Sequence, residues 1–141
     1  MADEIIVHAK VLEADDFDRG KREPAGSAAQ YQVRIAEIEM EFGEFDASLA
    51  GDEGLREDLQ VFFQRLADER FGVQSVIVKV ELRSGSLIVT ALVVGGPALY
   101  KFFKDYEQLR KGVQLFVGDV KAAKNKIEAI ILKRDDKRAR K

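Results

Sequence analysis

The sequence predicts an α+β domain: a ββαββα-like two-layer sandwich on a mainly antiparallel sheet, with one short helix and one long C-terminal helix. Three patterns carry this. Apolar residues alternate with period two in residues 4–12, 31–42 and 76–94. Residues 53–70 bear one apolar stripe at helical spacing. From Leu99 to Ile130 apolar residues recur in steps of three and four, a heptad pattern.

In the first strand, Ile5, Val7, Ala9 and Val11 share one face, with His8 and Lys10 on the other. Residues 13–30 are polar and broken by Gly20, Pro24 and Gly26, which predicts a long loop. In residues 31–42 the alternation of Tyr31, Val33 and Ile35 slips phase before Ile38, Met40 and Phe42. One extra residue near Ala36 realigns the two sets, so a bulged strand is predicted. A helix through Tyr31, Ile35, Ile38 and Phe42 is the alternative.

Asp52 is placed to cap the short helix, and Leu55, Leu59, Phe62, Phe63 and Leu66 form its stripe. Gly72 suits the helix end. Val76, Val78, Val80 and Leu82 then alternate with Ile77, Lys79, Glu81 and Arg83. A two-residue turn at Ser84-Gly85 pairs Leu82 with Leu87, Val80 with Val89 and Val78 with Ala91. The second strand is also apolar on its other side, through Ile88, Leu92 and Val94, as a strand buried on both faces is.

Gly95-Gly96-Pro97 ends that strand and starts the long helix. An unbroken helix over 97–132 would be roughly 54 Å long, against about 30 Å for a domain of this size. It therefore projects, or it breaks near Gly112 or Gly118. Residues 1–132 are expected to form one domain, and the basic residues 133–141 a mobile tail.

The chain has 141 residues and no cysteine, which excludes disulfides and thiolate chemistry and fits a reducing compartment. The N-terminus carries acids where a secretory signal would carry bases, so a cytoplasmic protein is expected. Net charge is −2, yet residues 1–70 hold 18 acids and 8 bases while residues 71–141 hold 7 acids and 15 bases. The two halves are expected to face each other, within a subunit or between subunits.

The chemistry-bearing motifs are weak. His8 is the only histidine and has no partner near it in sequence. Asp16, Asp18 and Gly20 miss the positions of a calcium loop. Glu37, Glu39 and Glu41 line one strand face roughly 7 Å apart, as a row for a cation or for acid–base work, or as a solvated surface. "VVGGPA" follows a strand but lacks the glycine spacing and Gly-Lys-Ser/Thr of a phosphate loop, which leaves a plain strand-to-helix turn. No catalytic, metal or cofactor-binding residue is assigned.

The expected function is thus non-enzymatic: a small interaction or assembly module, a homo-oligomer or a binder of another protein, that self-associates through its C-terminal helix and apolar hairpin. Its interface residues are Leu99, Phe102, Tyr106, Leu109, Val113, Phe116 and Val120. Two alternatives accompany it. One is a membrane-associated or membrane-disrupting protein using residues 86–103, with Lys101, Lys104, Arg110 and Lys111 at the headgroups. There, 17 uncharged residues from Ser84 to Tyr100 fall short of a spanning helix. The other is a nucleic-acid-binding accessory protein, contacting polyanions through Lys133, Arg134, Lys137, Arg138, Arg140 and Lys141.

Overall fold

Four strands form one antiparallel sheet in the order β1-β2-β4-β3: β1 is Ile6–Val11, β2 Arg34–Phe42, β3 Val76–Arg83 and β4 Leu87–Gly95. The helices are α1 (Ala14–Arg22), α2 (Glu53–Phe71), α3 (Leu99–Phe102), α4 (Tyr106–Ala122) and α5 (Lys124–Ala139), with a 3₁₀ turn at Ala47–Gly51. This computed structural model describes residues 6–22, 33–43, 45, 47–83 and 87–139, and not the side chains of 6–8, 20–22, 47 and 137–139. The molecule is α+β. Strands β2 and β3 run parallel, joined by α2, and β4 is inserted between them.

Sequence pattern decides which face of each strand is covered. Ala36, Ile38, Met40 and Phe42 of β2, Val76, Val78 and Val80 of β3, and Leu87, Val89, Ala91 and Val93 of β4 are all buried. They pack with Leu55, Leu59 and Phe63 of α2 and with Leu109, Val113 and Phe116 of α4. The phase slip in β2 is a real irregularity: the register against β4 shifts between Arg34 and Ala36, so Ile35 and Ala36 are both buried. That satisfies both apolar sets at once.

The hairpin pairs on the expected faces but two residues out of the expected register. Leu82 lies opposite Val89, Val80 opposite Ala91 and Val78 opposite Val93. Arg83 is opposite Ile88, so the connection is longer than a two-residue turn, and Leu87 pairs with Phe42 of β2 instead. Residues 84–86, which include the proposed Ser84-Gly85 turn, lie outside the described residues. A shift of two keeps every side chain on its face, which is why alternation alone does not detect it.

Asp52 caps α2 as expected, its Oδ1 accepting from the Leu55 amide at 3.1 Å, and Gly72 ends the helix at φ 94°. The stretch expected as a loop over 13–30 instead opens with α1. Phe17 of α1 is buried against Tyr100 and Tyr106, whose hydroxyls donate to the carbonyls of Phe17 and Leu12. The remainder of that stretch, from residue 23 to 30, lies outside the described residues, as do Tyr31 and Gln32 of the predicted strand.

The long helix is broken, at neither predicted glycine. Asp105 caps α4 by accepting from the Gln108 amide at 2.9 Å, and Gln108 Oε1 accepts in return from the Lys104 amide at 3.0 Å. This reciprocal pair fixes a new helix start after α3. A second interruption falls at Ala123. Gly112 continues through α4 and faces Phe71 and Phe103, where its missing side chain allows close helix packing. Helix α5 runs on to Ala139, through most of the stretch expected as a mobile tail.

Candidate functional site

The helices cover one side of the sheet; among the described residues no helix covers the other. Register sets its layout. Along β2 run Arg34, Glu37, Glu39 and Glu41. Along β4 run Val94, Leu92, Thr90 and Ile88, and along β3 Ile77, Lys79, Glu81 and Arg83. Lys10 of β1 stands opposite Glu37. An apolar ridge on the central strand is thus flanked by charged rows. Ile88 and Leu92 are partly exposed, while Thr90 and Val94 are buried.

One ion pair crosses this ridge. Arg83 and Glu39 lie on strands separated by β4, yet Arg83 Nη2 donates to Glu39 Oε2 at 3.0 Å. The long stems of such residues shield apolar surface while their heads stay in water. Beneath the pair, Thr90 Oγ1 is buried with no hydrogen-bond partner among the described residues. The Glu37–Glu41 row is therefore a flank of this surface. Among the described residues no group of three or more His, Cys, Asp or Glu is placed to hold a metal ion.

The free side of β3 is closed differently. Gln64 Nε2 donates to the Val76 carbonyl at 3.0 Å, and its Oε1 accepts from the Val78 amide at 2.8 Å. Gln60 Oε1 accepts from the Val80 amide at 3.1 Å. Two amide side chains one helical turn apart thus stand in for a fifth strand, satisfying an edge that would otherwise pair with another chain. Arg56 and Asp68 hold the glutamines in place, Arg56 donating to Gln60 and Gln64 to Asp68.

The heptad seam lies inside the subunit. Leu99, Leu109, Val113, Phe116 and Val120 are each no more than 1% exposed, and Tyr106 is half-buried with its hydroxyl on Leu12. These six are occupied by the chain's own sheet, α1 and α2, so the proposed intersubunit seam is not on the surface. Phe102 alone of the seven is exposed, at 54%. A repeat of threes and fours states that a helix has one apolar face, not whose surface covers it.

The "VVGGPA" turn is likewise committed. Gly95 donates its amide to the Val33 carbonyl and Gly96 to the Ser75 carbonyl, while Ala98 donates to Gln74. A Cβ on Gly96 would collide with the Gln74 carbonyl. The glycine thus permits two backbones to touch, and those amides are not turned toward a phosphate. The opposing turn holds Gln74 at φ 70°, in the left-handed region that few non-glycine residues adopt.

Of residues 86–103, the described residues from 87 to 102 divide between β4, this turn and α3. Among the described residues, no helix is long and apolar enough to cross a membrane. Of the basic residues assigned to polyanions, Lys133 and Arg134 line a cavity of about 490 Å³ between α2 and α5, with Asp58, Val61, Phe62, Arg65 and Ile130. Arg134 lies 3.5 Å from Asp52. Lys137 and Arg138 lie on α5, but their side chains, with Arg140 and Lys141, are outside the described residues.

Among the described residues, the ion pairs Glu39–Arg83 and Asp52–Arg134 join the acidic half to the basic half within one subunit. A third, Arg70–Asp119, ties α2 to α4, and the hydrogen bonds that Arg70 donates to Asp119 raise the Arg70 pKa above its ordinary value. Raised, that guanidinium stays charged throughout the neutral range. On the alkaline side the pair weakens only as pH climbs past the arginine's own pKa.

Comparison with protein-family models, curated proteins and solved structures finds no match.

Proposed function

We propose that this protein is a non-enzymatic interaction module whose docking surface is the open face of its sheet. One observation carries the reading: β4 is apolar on both sides, and among the described residues helices cover only one side, leaving Ile88 and Leu92 partly exposed between charged rows. A lone solvent-facing surface has no need of that ridge, since antiparallel sheets with a wet face alternate apolar with polar residues. Apolar centre and charged rim together match the anatomy of protein–protein interfaces. The setting is taken as the cytoplasm, to which a chain without cysteine is suited.

Carbodiimide labelling of carboxylates tests this. The dilute protein is labelled in buffer and in an extract of the cells that make it, and each site is read by mass spectrometry. Glu37, Glu39 and Glu41 are expected to be protected several-fold in extract, while the exposed Glu57 and Glu69 of α2 label equally in both. Protection confined to the α2 carboxylates, or none anywhere, overturns the reading.

A further inference from the structure

We infer that the partner of the open face is a second copy of the same chain, docked face to face about a two-fold axis that runs along β4. This rests on the docking reading above and names its partner.

The charges of the face carry the inference. Among the described residues it holds four acids, Glu37, Glu39, Glu41 and Glu81, and four bases, Lys10, Arg34, Lys79 and Arg83. A partner of a single sign, such as a polyanion or an acidic peptide, meets its own sign over half of this surface. A copy of the face does not. Rotation about β4 lays β2 of one subunit over β3 of the other without reversing strand direction. Residues at the same level then oppose one another. Glu37 faces Lys79 of the partner subunit, because both flank Leu92. Glu41 faces Arg83 of the partner subunit, because both flank Ile88. The ridge meets itself, Ile88 on Ile88 and Leu92 on Leu92.

The one like-charge meeting is Glu39 with Glu81 of the partner subunit, both flanking Thr90. It is offset by Arg83, already 3.0 Å from Glu39. The other face-to-face arrangement, with the axis across the strands, lays β2 on β2. That sets Glu37 and Glu39 of the two copies against each other and matches Lys79 with Glu81, so the two geometries predict different partners for Lys79.

The size of the contact sets its strength. Three strands over eight residues cover, with side-chain relief, roughly 500 Å² on each copy. A total of roughly 1,000 Å² lies at the lower limit of specific interfaces. A weak, reversible dimer at micromolar concentration is therefore expected, and salt should loosen it by screening the charged rim.

Sedimentation velocity on the full chain, from low to high micromolar concentration, tests the inference through charge exchange. The wild-type protein is expected to dimerise. Glu37→Lys alone and Lys79→Glu alone should each weaken the dimer at least tenfold, and the double variant E37K/K79E should recover most of the loss. Glu41→Lys with Arg83→Glu gives an independent second pair, and circular dichroism confirms folding of each variant. A monomeric wild type at high micromolar concentration overturns the inference, as does a folded double variant that recovers nothing. If the wild type is monomeric yet Glu37, Glu39 and Glu41 are protected in extract, the second copy is refuted while the docking face stands. If that protection is also absent, both fail.

Discussion

The two sides of β4 are made of similar residues and meet different fates. On the inner side Leu87, Val89, Ala91 and Val93 are wholly buried beneath α2 and α4. On the outer side Ile88 and Leu92 are only partly buried, and among the described residues charged side chains of β2 and β3 flank them. Local sequence makes both sides apolar; only tertiary context separates them. The lesson is that an apolar residue at a strand's outer face marks either a missing layer or a surface held for something else.

The sharpest way to break this comparison is to truncate a leucine on each side. Leu87→Ala should cost about 3 kcal/mol, the middle of the range for buried leucines that leave a cavity. Leu92→Ala should cost about 1 kcal/mol, less than Leu87→Ala because Leu92 is only partly buried. Urea unfolding of dilute protein measures both. Equal losses would mean that the outer side is as well packed as the inner.

How much of this was legible follows from what each residue reports. The bulge in β2 was legible because the phase slip between Ile35 and Ile38 has one simple remedy. The two apolar sides of β4 led the sequence to predict burial on both faces, whereas Ile88 and Leu92 on the outer side are only partly buried. The register of the hairpin was not legible, because a displacement of two residues leaves alternation unchanged. The break before α4 was present in the sequence as Asp105-x-x-Gln108, a capping signal that the stronger heptad pattern conceals. Helix α1 was hidden by Gly20 and by its polar composition; its single anchor, Phe17, gives no periodicity. Of the open face, the acidic row was visible, but its alignment with Lys79 and Arg83 depends on strand order, which no local pattern encodes.

The glutamines of α2 extend the comparison to the edges of the sheet. Gln60 and Gln64 look like ordinary solvated positions until β3 is placed beside them. Gln64→Ala should cost about 1.5 kcal/mol, because the Val78 amide loses its acceptor and the Val76 carbonyl its donor in a half-buried place. It should also free the edge for strand pairing with other chains, visible as concentration-dependent species larger than a dimer. Gln64→Glu retains the acceptor and loses the donor, so its loss should fall between the wild type and the alanine variant. A variant Gln64→Ala as stable as the wild type would show that water closes the edge equally well.

The smallest effect should be a gain. Thr90 lies on the outer side but is only 4% exposed, and its hydroxyl has no partner among the described residues. Burying an unpaired hydroxyl costs of the order of 1–3 kcal/mol, whereas an apolar group of the same shape carries no such cost. Valine has that shape and is equally suited to a strand. Thr90→Val should therefore stabilise the folded chain by about 1 kcal/mol, read as a higher urea midpoint with an unchanged slope. The slope matters: a change in it would point to the unfolded chain instead. A destabilised Thr90→Val would show that the hydroxyl is bonded in solution, and that the strap of Arg83 and Glu39 admits water to the ridge it crosses.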